Sequence, residues 1–131
     1  MRSTLAGVLF AVCLLGAIPT RAQQMNEKDS PCASVVVTSD LVSCLWKAKG
    51  LSDAKLNSAY ENIRRRLNAA DAERLTATER LWIRYRDANC SAERELYGNG
   101  TASGPVYLAC LEAMTRARTK ELEVTYAVRL K

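Results

Sequence analysis

Histidine is absent from all 131 residues, and that absence removes more chemistry than any other feature of the sequence. Every Ser-His and Cys-His nucleophilic pair is excluded. A glycosidase would need two carboxyl groups held about 5–9.5 Å apart across a cleft. Glu79 and Asp87 are spaced two helical turns apart, but charged pairs at that spacing occur on most solvated helices. No glycine motif suited to phosphate is present, because the run Gly98 to Gly104 does not follow a strand. The expectation is a protein without catalytic residues and without a cofactor.

Close cysteine pairs are also missing. Zinc sites usually place ligands at C-x-x-C spacing, often with histidine; here Cys32, Cys44, Cys90 and Cys110 are widely separated, and no metal is expected. The fifth cysteine, Cys13, lies in an N-terminal segment expected to be cleaved on export, and the four that remain in so small an exported domain read as two disulfides, with three connectivities open. A one-sided basic stripe is lacking too. The formal charge is +5, from 19 basic and 14 acidic residues. Without Arg2 and Arg21 in the N-terminal segment it falls to +3, spread among acidic residues. That excludes nucleic acid as the expected partner.

What is present begins with a three-part leader. Arg2 is followed by an uncharged apolar run from Leu5 to Ile18, then by Pro19-Thr20-Arg21-Ala22. Small residues at Thr20 and Ala22 define a cleavage point before Gln23. The apolar run is 14 residues long, short of the roughly 20 needed to span a bilayer. The rival reading is an uncleaved anchor. Lipid attachment at Cys13 is disfavoured because Val12 stands where a small residue is needed. No second such run follows. Residues 1–22 are therefore expected to be a signal peptide cleaved after Ala22, leaving a secreted or periplasmic protein without stable membrane insertion. Its oligomeric state is left open.

The remaining chain is one domain by length. Residues 23–37 read as an extended lead-in, ending in Val35-Val36-Val37. Residues 38–131 read as helical. From an N-cap at Thr38 or Ser39, Leu41, Leu45, Ala48, Ser52, Leu56, Ala59, Ile63 and Leu67 recur at helical steps. Gly50 marks a bend or break, since glycine in a helix costs about 1 kcal/mol relative to alanine. Asn68 to Asp71 reads as a turn. A second helix then carries Leu75, Thr78, Trp82, Tyr85, Asn89, Ala92 and Leu96 on one face, with Gly98 as its C-terminal cap. Pro105 fits the first position of a third helix, which turns Leu108, Leu111, Thr115, Arg118, Leu122 and Thr125 inward. Short connections predict an all-α, antiparallel, up-down-up three-helix bundle. In that arrangement Cys90 faces Cys110, leaving Cys32 to pair with Cys44.

Three clusters stand out in order: Asp53-x-x-Leu56-Asn57-x-x-Tyr60; Trp82-x-x-Tyr85-Arg86-Asp87-x-x-Cys90; and Cys110-x-x-x-x-Thr115-x-x-Arg118-x-x-x-Leu122. With the four cysteines, this set resembles the LprI-type lysozyme inhibitor domain of bacterial envelope and secreted proteins. The resemblance runs from about Cys32 to Leu122. It departs from the family pattern at Glu79, where a glutamine is expected, and in the loop Gly98-Asn99-Gly100-Thr101, where Gly-Gly-Ser is usual. The resemblance implies the fold more firmly than an activity, and lysozyme or another cell-wall hydrolase as partner.

Trp82, Leu56, Tyr60 and Tyr85 lie at core spacing. Asn57, Arg86, Asp87 and Arg118 are polar groups near an inward face, where buried charge must be paired. Two readings follow, a network locking helix register or a small polar pocket for a ligand. Arg64-Arg65-Arg66 reads as a solvated helix end favoured by the helix dipole, with contact to anionic polymers as the rival. A protein carrying +3 gains no long-range attraction to a basic lysozyme, so an inhibitor would need a local contact. The loop between helices two and three, with Tyr97, Asn99, Thr101 and Tyr107, is the expected probe. The alternative function is an envelope binding or structural protein using the polar pocket, with no inhibitory activity.

Overall fold

The structure is a computed structural model that describes residues 27–131. The expected signal peptide of residues 1–22, its expected cleavage point and Cys13 lie outside the described residues. Three helices form the fold, α1 (Thr38–Arg64), α2 (Ala69–Glu95) and α3 (Ser103–Thr125), followed by a 3-10 turn at Ala127–Arg129. At 27 residues each, α1 and α2 are about 40 Å long.

The apolar contacts fix the direction of each helix. Leu45 and Ala48, early in α1, pack with Leu108 and Ala109, early in α3. Leu56 and Ile63, later in α1, pack with Leu122, late in α3. These two helices therefore run parallel. Leu75, early in α2, joins the Leu122 cluster, whereas Cys90, late in α2, is bonded to Cys110, early in α3. So α2 runs the opposite way, and the bundle is up-down-up. Ten buried residues on α3, against five on α1 and three on α2, make α3 the central helix. Leu45 and Ile63 are fully buried, each stabilising the fold by roughly 1.5–3 kcal/mol.

Both disulfides join the pairs expected from the topology. Cys32 and Cys44 lie 6.0 Å apart between Cα atoms, and Cys90 and Cys110 lie 5.5 Å apart. The first pins the N-terminal segment to α1; the second ties the end of α2 to the start of α3. Each constrains the unfolded chain by about 3 kcal/mol on the chain-entropy account.

Several local expectations change. Residues 28–29 and 31–34 form turns instead of an extended lead-in, because Ser30, Ala33 and Val35 donate back to the carbonyls of Glu27, Ser30 and Cys32. Thr38 is already the first helical residue, and Val37, extended and without a side-chain cap bond, precedes it. α1 runs unbroken through Gly50. α2 starts at Ala69, one turn earlier than read, because the Asn68 side chain accepts from the Asp71 backbone N–H at 2.9 Å. Pro105 is the third residue of α3, not the first, still within the turn where a missing N–H costs no helical bond. Gly98 has φ +52°, the left-handed conformation that ends α2.

Candidate functional site

The inward stripe of α1 is as read, with Leu45, Ala48, Ser52, Leu56 and Ile63 buried. The stripe of α2 is not. Thr78, Tyr85, Asn89, Ala92 and Leu96 are exposed, Tyr85 by 61% and Leu96 by 83%. The inward line is instead Leu75, Glu79, Trp82, Arg86 and Cys90, rotated about one residue from the apolar pattern. Two of its members are charged, which is why apolar periodicity misplaced it.

Those charges are satisfied across the bundle. Arg118 donates through Nε to Glu79 Oε1 at 2.8 Å and also through Nη2. Its Nη1 pairs with Glu121 at 2.9 Å. Burial alone would lower the Arg118 pKa, but Glu79 and Glu121 outweigh it and hold the proton more firmly than usual. Arg86 donates to Asp87 at 2.8–2.9 Å, to Thr115 Oγ1 at 3.0 Å and to Asp53 at 3.5 Å. Asp53 in turn accepts from Lys49 at 2.7 Å. One seam thus links α1, α2 and α3. The half-buried Trp82 ring has the Arg86 and Arg118 guanidinium carbons 5.4 and 5.8 Å from its centroid, within cation–π range.

The structure therefore brings Arg86 and Asp87 together as read, and corrects two other placements. The carboxylate on Arg118 belongs to Glu79, not Asp87. Asn57 is exposed and takes no part in the seam, because Asp53, one helical turn earlier, occupies the position facing Arg86. Tyr60 is half-buried and its hydroxyl lies 2.7 Å from Thr76 Oγ1. Thr125 is exposed, and so are Arg64, Arg65 and Arg66 at the end of α1.

The α2–α3 connection is a wound loop. Leu96, Tyr97, Gly98, Gly100 and Ser103 each donate to a carbonyl three residues earlier. Asn99 and Thr101 are exposed, whereas Tyr97 and Tyr107 are half-buried. Arg94 lies over the Tyr107 ring at 5.2 Å, and the Cys90–Cys110 bridge stands at the loop's base. Leu96, Asn99 and Thr101 are exposed on this turn-built connection.

A second feature had no signal in the sequence. An open groove of about 900 Å³ runs between α1 and α3, with no residue of α2 in its lining. Buried Ser52 and Glu112 lie at its floor, Ser52 donating to Glu112 Oε1 at 2.9 Å. Arg116 donates to the same oxygen at 3.1 Å and to Asp29 at 3.1 Å. Burial lowers the Arg116 pKa, and the bonds to Glu112 and Asp29 more than reverse this. Among the described residues no group of three or more Cys, Asp or Glu side chains is placed to hold a metal ion, and no helix is long and apolar enough to cross a membrane.

Fold and site define a small helical protein, stapled twice, braced by a buried ion-pair seam and presenting a loop of successive turns and an open groove. The chain belongs to the family described as lysozyme inhibitor LprI, whose model matches residues 30–122. The match takes in both disulfides, all of α1 and α2 and most of α3. It is also similar to an uncharacterized protein of Rhizobium meliloti (strain 1021), 27% identical over 136 residues that cover 94% of each chain. No solved structure matches.

Proposed function

We propose that this chain is exported, loses residues 1–22, and acts without catalysis by binding and inhibiting lysozyme or a related cell-wall hydrolase. The observation that carries the reading is the family match, which extends over the entire disulfide-stapled core. Two disulfides suit an oxidising compartment outside the cytoplasm. The inhibitory contact is assigned to the loop, because its backbone is wound into successive turns and Leu96, Asn99 and Thr101 are exposed on it. Preorganisation of this kind lowers the entropic cost of entering a cleft. The test is clearance of a cell-wall suspension by lysozyme with and without the oxidised protein. Inhibition that saturates at equimolar protein supports the reading, and undiminished clearance across a panel of wall hydrolases rejects it. One observation favours the alternative of an envelope protein that holds a ligand without inhibiting: the α1–α3 groove.

A further inference from the structure

The end of the bundle opposite the α2–α3 loop carries the net charge of the described chain. Because α1 and α3 run parallel, the end of α1 and the segment after α3 meet there. Arg66 Nη1 donates to the main-chain carbonyl of Arg129 at 3.4 Å. Residues 64–74 and 123–131 hold six basic side chains and three acidic ones, whereas the other described residues hold eleven of each. Of the nearby acidic groups, Asp71 is bound to Arg74, and Glu61, one turn back on α1, is bound to Arg64. Glu123 lies on the groove side of α3. Arg65, Arg66 and Arg129 are exposed and have no carboxylate partner among the described residues. Two apolar side chains belong to the same end: Val124 is 69% exposed and Val128 76%. Tyr126 and Leu130 pack with Leu67 onto the Leu122 cluster. That packing holds the segment after α3 against the bundle and leaves Val128 and Arg129 in solvent.

We propose that this end docks on an anionic phospholipid surface. The guanidinium groups of Arg65, Arg66 and Arg129 donate to lipid phosphates, which they match in paired hydrogen bonds. Val124 and Val128 enter the interfacial layer. Binding of this kind grows with the apolar area buried and with attraction to anionic lipid. A soluble polyanion would meet the same arginines but leave both valines in water, so the combination favours a lipid surface. The helix α2 begins at this end and finishes at the α2–α3 loop. Its length of about 40 Å keeps that loop clear of the surface when the molecule is docked. The proposal is independent of hydrolase inhibition, and neither requires the other.

The test is co-sedimentation of the oxidised, exported protein with vesicles of phosphatidylglycerol and phosphatidylcholine in equal parts. Vesicles of phosphatidylcholine alone and soluble polyphosphate are the comparison arms. Binding to the anionic vesicles is expected at low salt, with loss as salt shortens the screening length and none to the neutral vesicles. Each basic residue near such a surface strengthens binding about fivefold, so Arg65→Gln/Arg129→Gln should bind about 25-fold more weakly. Lys47→Gln/Lys55→Gln removes the same charge from exposed positions elsewhere and should bind like the parent. Val124→Ser/Val128→Ser should lose affinity severalfold for the vesicles and none for polyphosphate. All six positions are exposed, and melting temperatures equal to the parent's show that the variants fold. No binding, equal binding to neutral vesicles, or an arginine variant that binds like the parent would each overturn the proposal. So would a lysine variant weakened as much as the arginine one, which would make net charge alone responsible. A valine variant that binds vesicles like the parent would assign this end to anionic polymers in general and reject the lipid surface.

Discussion

Arg118 and Glu79 meet from helices 39 residues apart in sequence, each with a side chain about nine-tenths buried. Removing one member of such a pair strands the other charge away from water. Arg118→Ala is therefore expected to cost about 3–5 kcal/mol, read as a lower denaturant midpoint at unchanged slope. Glu79→Gln should cost distinctly less, because the amide oxygen still accepts from the guanidinium. A variant Arg118→Ala with the stability of the parent would show that the seam contributes nothing. Glu93 supplies a pH dependence of opposite character. Partial burial raises its pKa above the ordinary 4.5, so the folded state holds its proton more tightly than the unfolded chain. Its contribution to stability is present below pH 4.5 and is lost as pH rises through the folded-state pKa. Glu93→Gln should accordingly raise the melting temperature at pH 7, with the gain shrinking as pH falls toward 4. A gain of equal size at both pH values would assign the effect to something other than ionisation.

At the scale of elements, α1 shows what a glycine costs when nothing requires it. Gly50 lies inside the helix with ordinary φ, and a Cβ built there meets nothing within 4 Å. Gly50→Ala is expected to stabilise by about 0.5–1 kcal/mol, measured as a higher denaturant midpoint. A destabilised variant would mean that the helix needs a bend at this point. How far each element was legible follows from what builds its buried face. On α1 the inward positions are apolar or small, so the 3.6-residue period reads correctly from Leu45 to Ile63. On α2 the inward line includes Glu79 and Arg86, while the apolar Tyr85 and Leu96 point outward. Hydrophobicity then favours the wrong phase, since it cannot register an ion pair completed by a distant helix. Flanking cues were available: Cys90 must face α3, and four- and three-residue steps back from it lead to Arg86, Trp82, Glu79 and Leu75. The groove was illegible for a related reason, because its walls join residues about 60 apart and neither wall alone has a pattern.

At the scale of the whole molecule, the polar seam, the groove and the loop occupy different parts of the bundle, so their roles separate by mutation. The seam braces all three helices, and any variant there changes stability before it changes binding. The loop makes no such contribution through Leu96, Asn99 or Thr101, which are exposed. Leu96 is the apolar member, 83% exposed at the end of α2, and an apolar side chain held in water is what a partner's cleft would desolvate. Burying it fully in an interface yields roughly 1.5–3 kcal/mol. Leu96→Asp replaces that gain with the cost of burying an unpaired charge. On the inhibitor reading, the variant should keep the parental melting temperature within a degree or so, because exposed substitutions rarely exceed 0.5 kcal/mol. Its inhibition of wall clearance should weaken by more than about tenfold, as a loss of 1.4 kcal/mol or more implies. Lys55→Glu/Lys120→Glu, in the groove, should inhibit like the parent. Should Leu96→Asp inhibit as well as the parent while the groove variant fails, the hydrolase contact would lie between α1 and α3 and not on the loop.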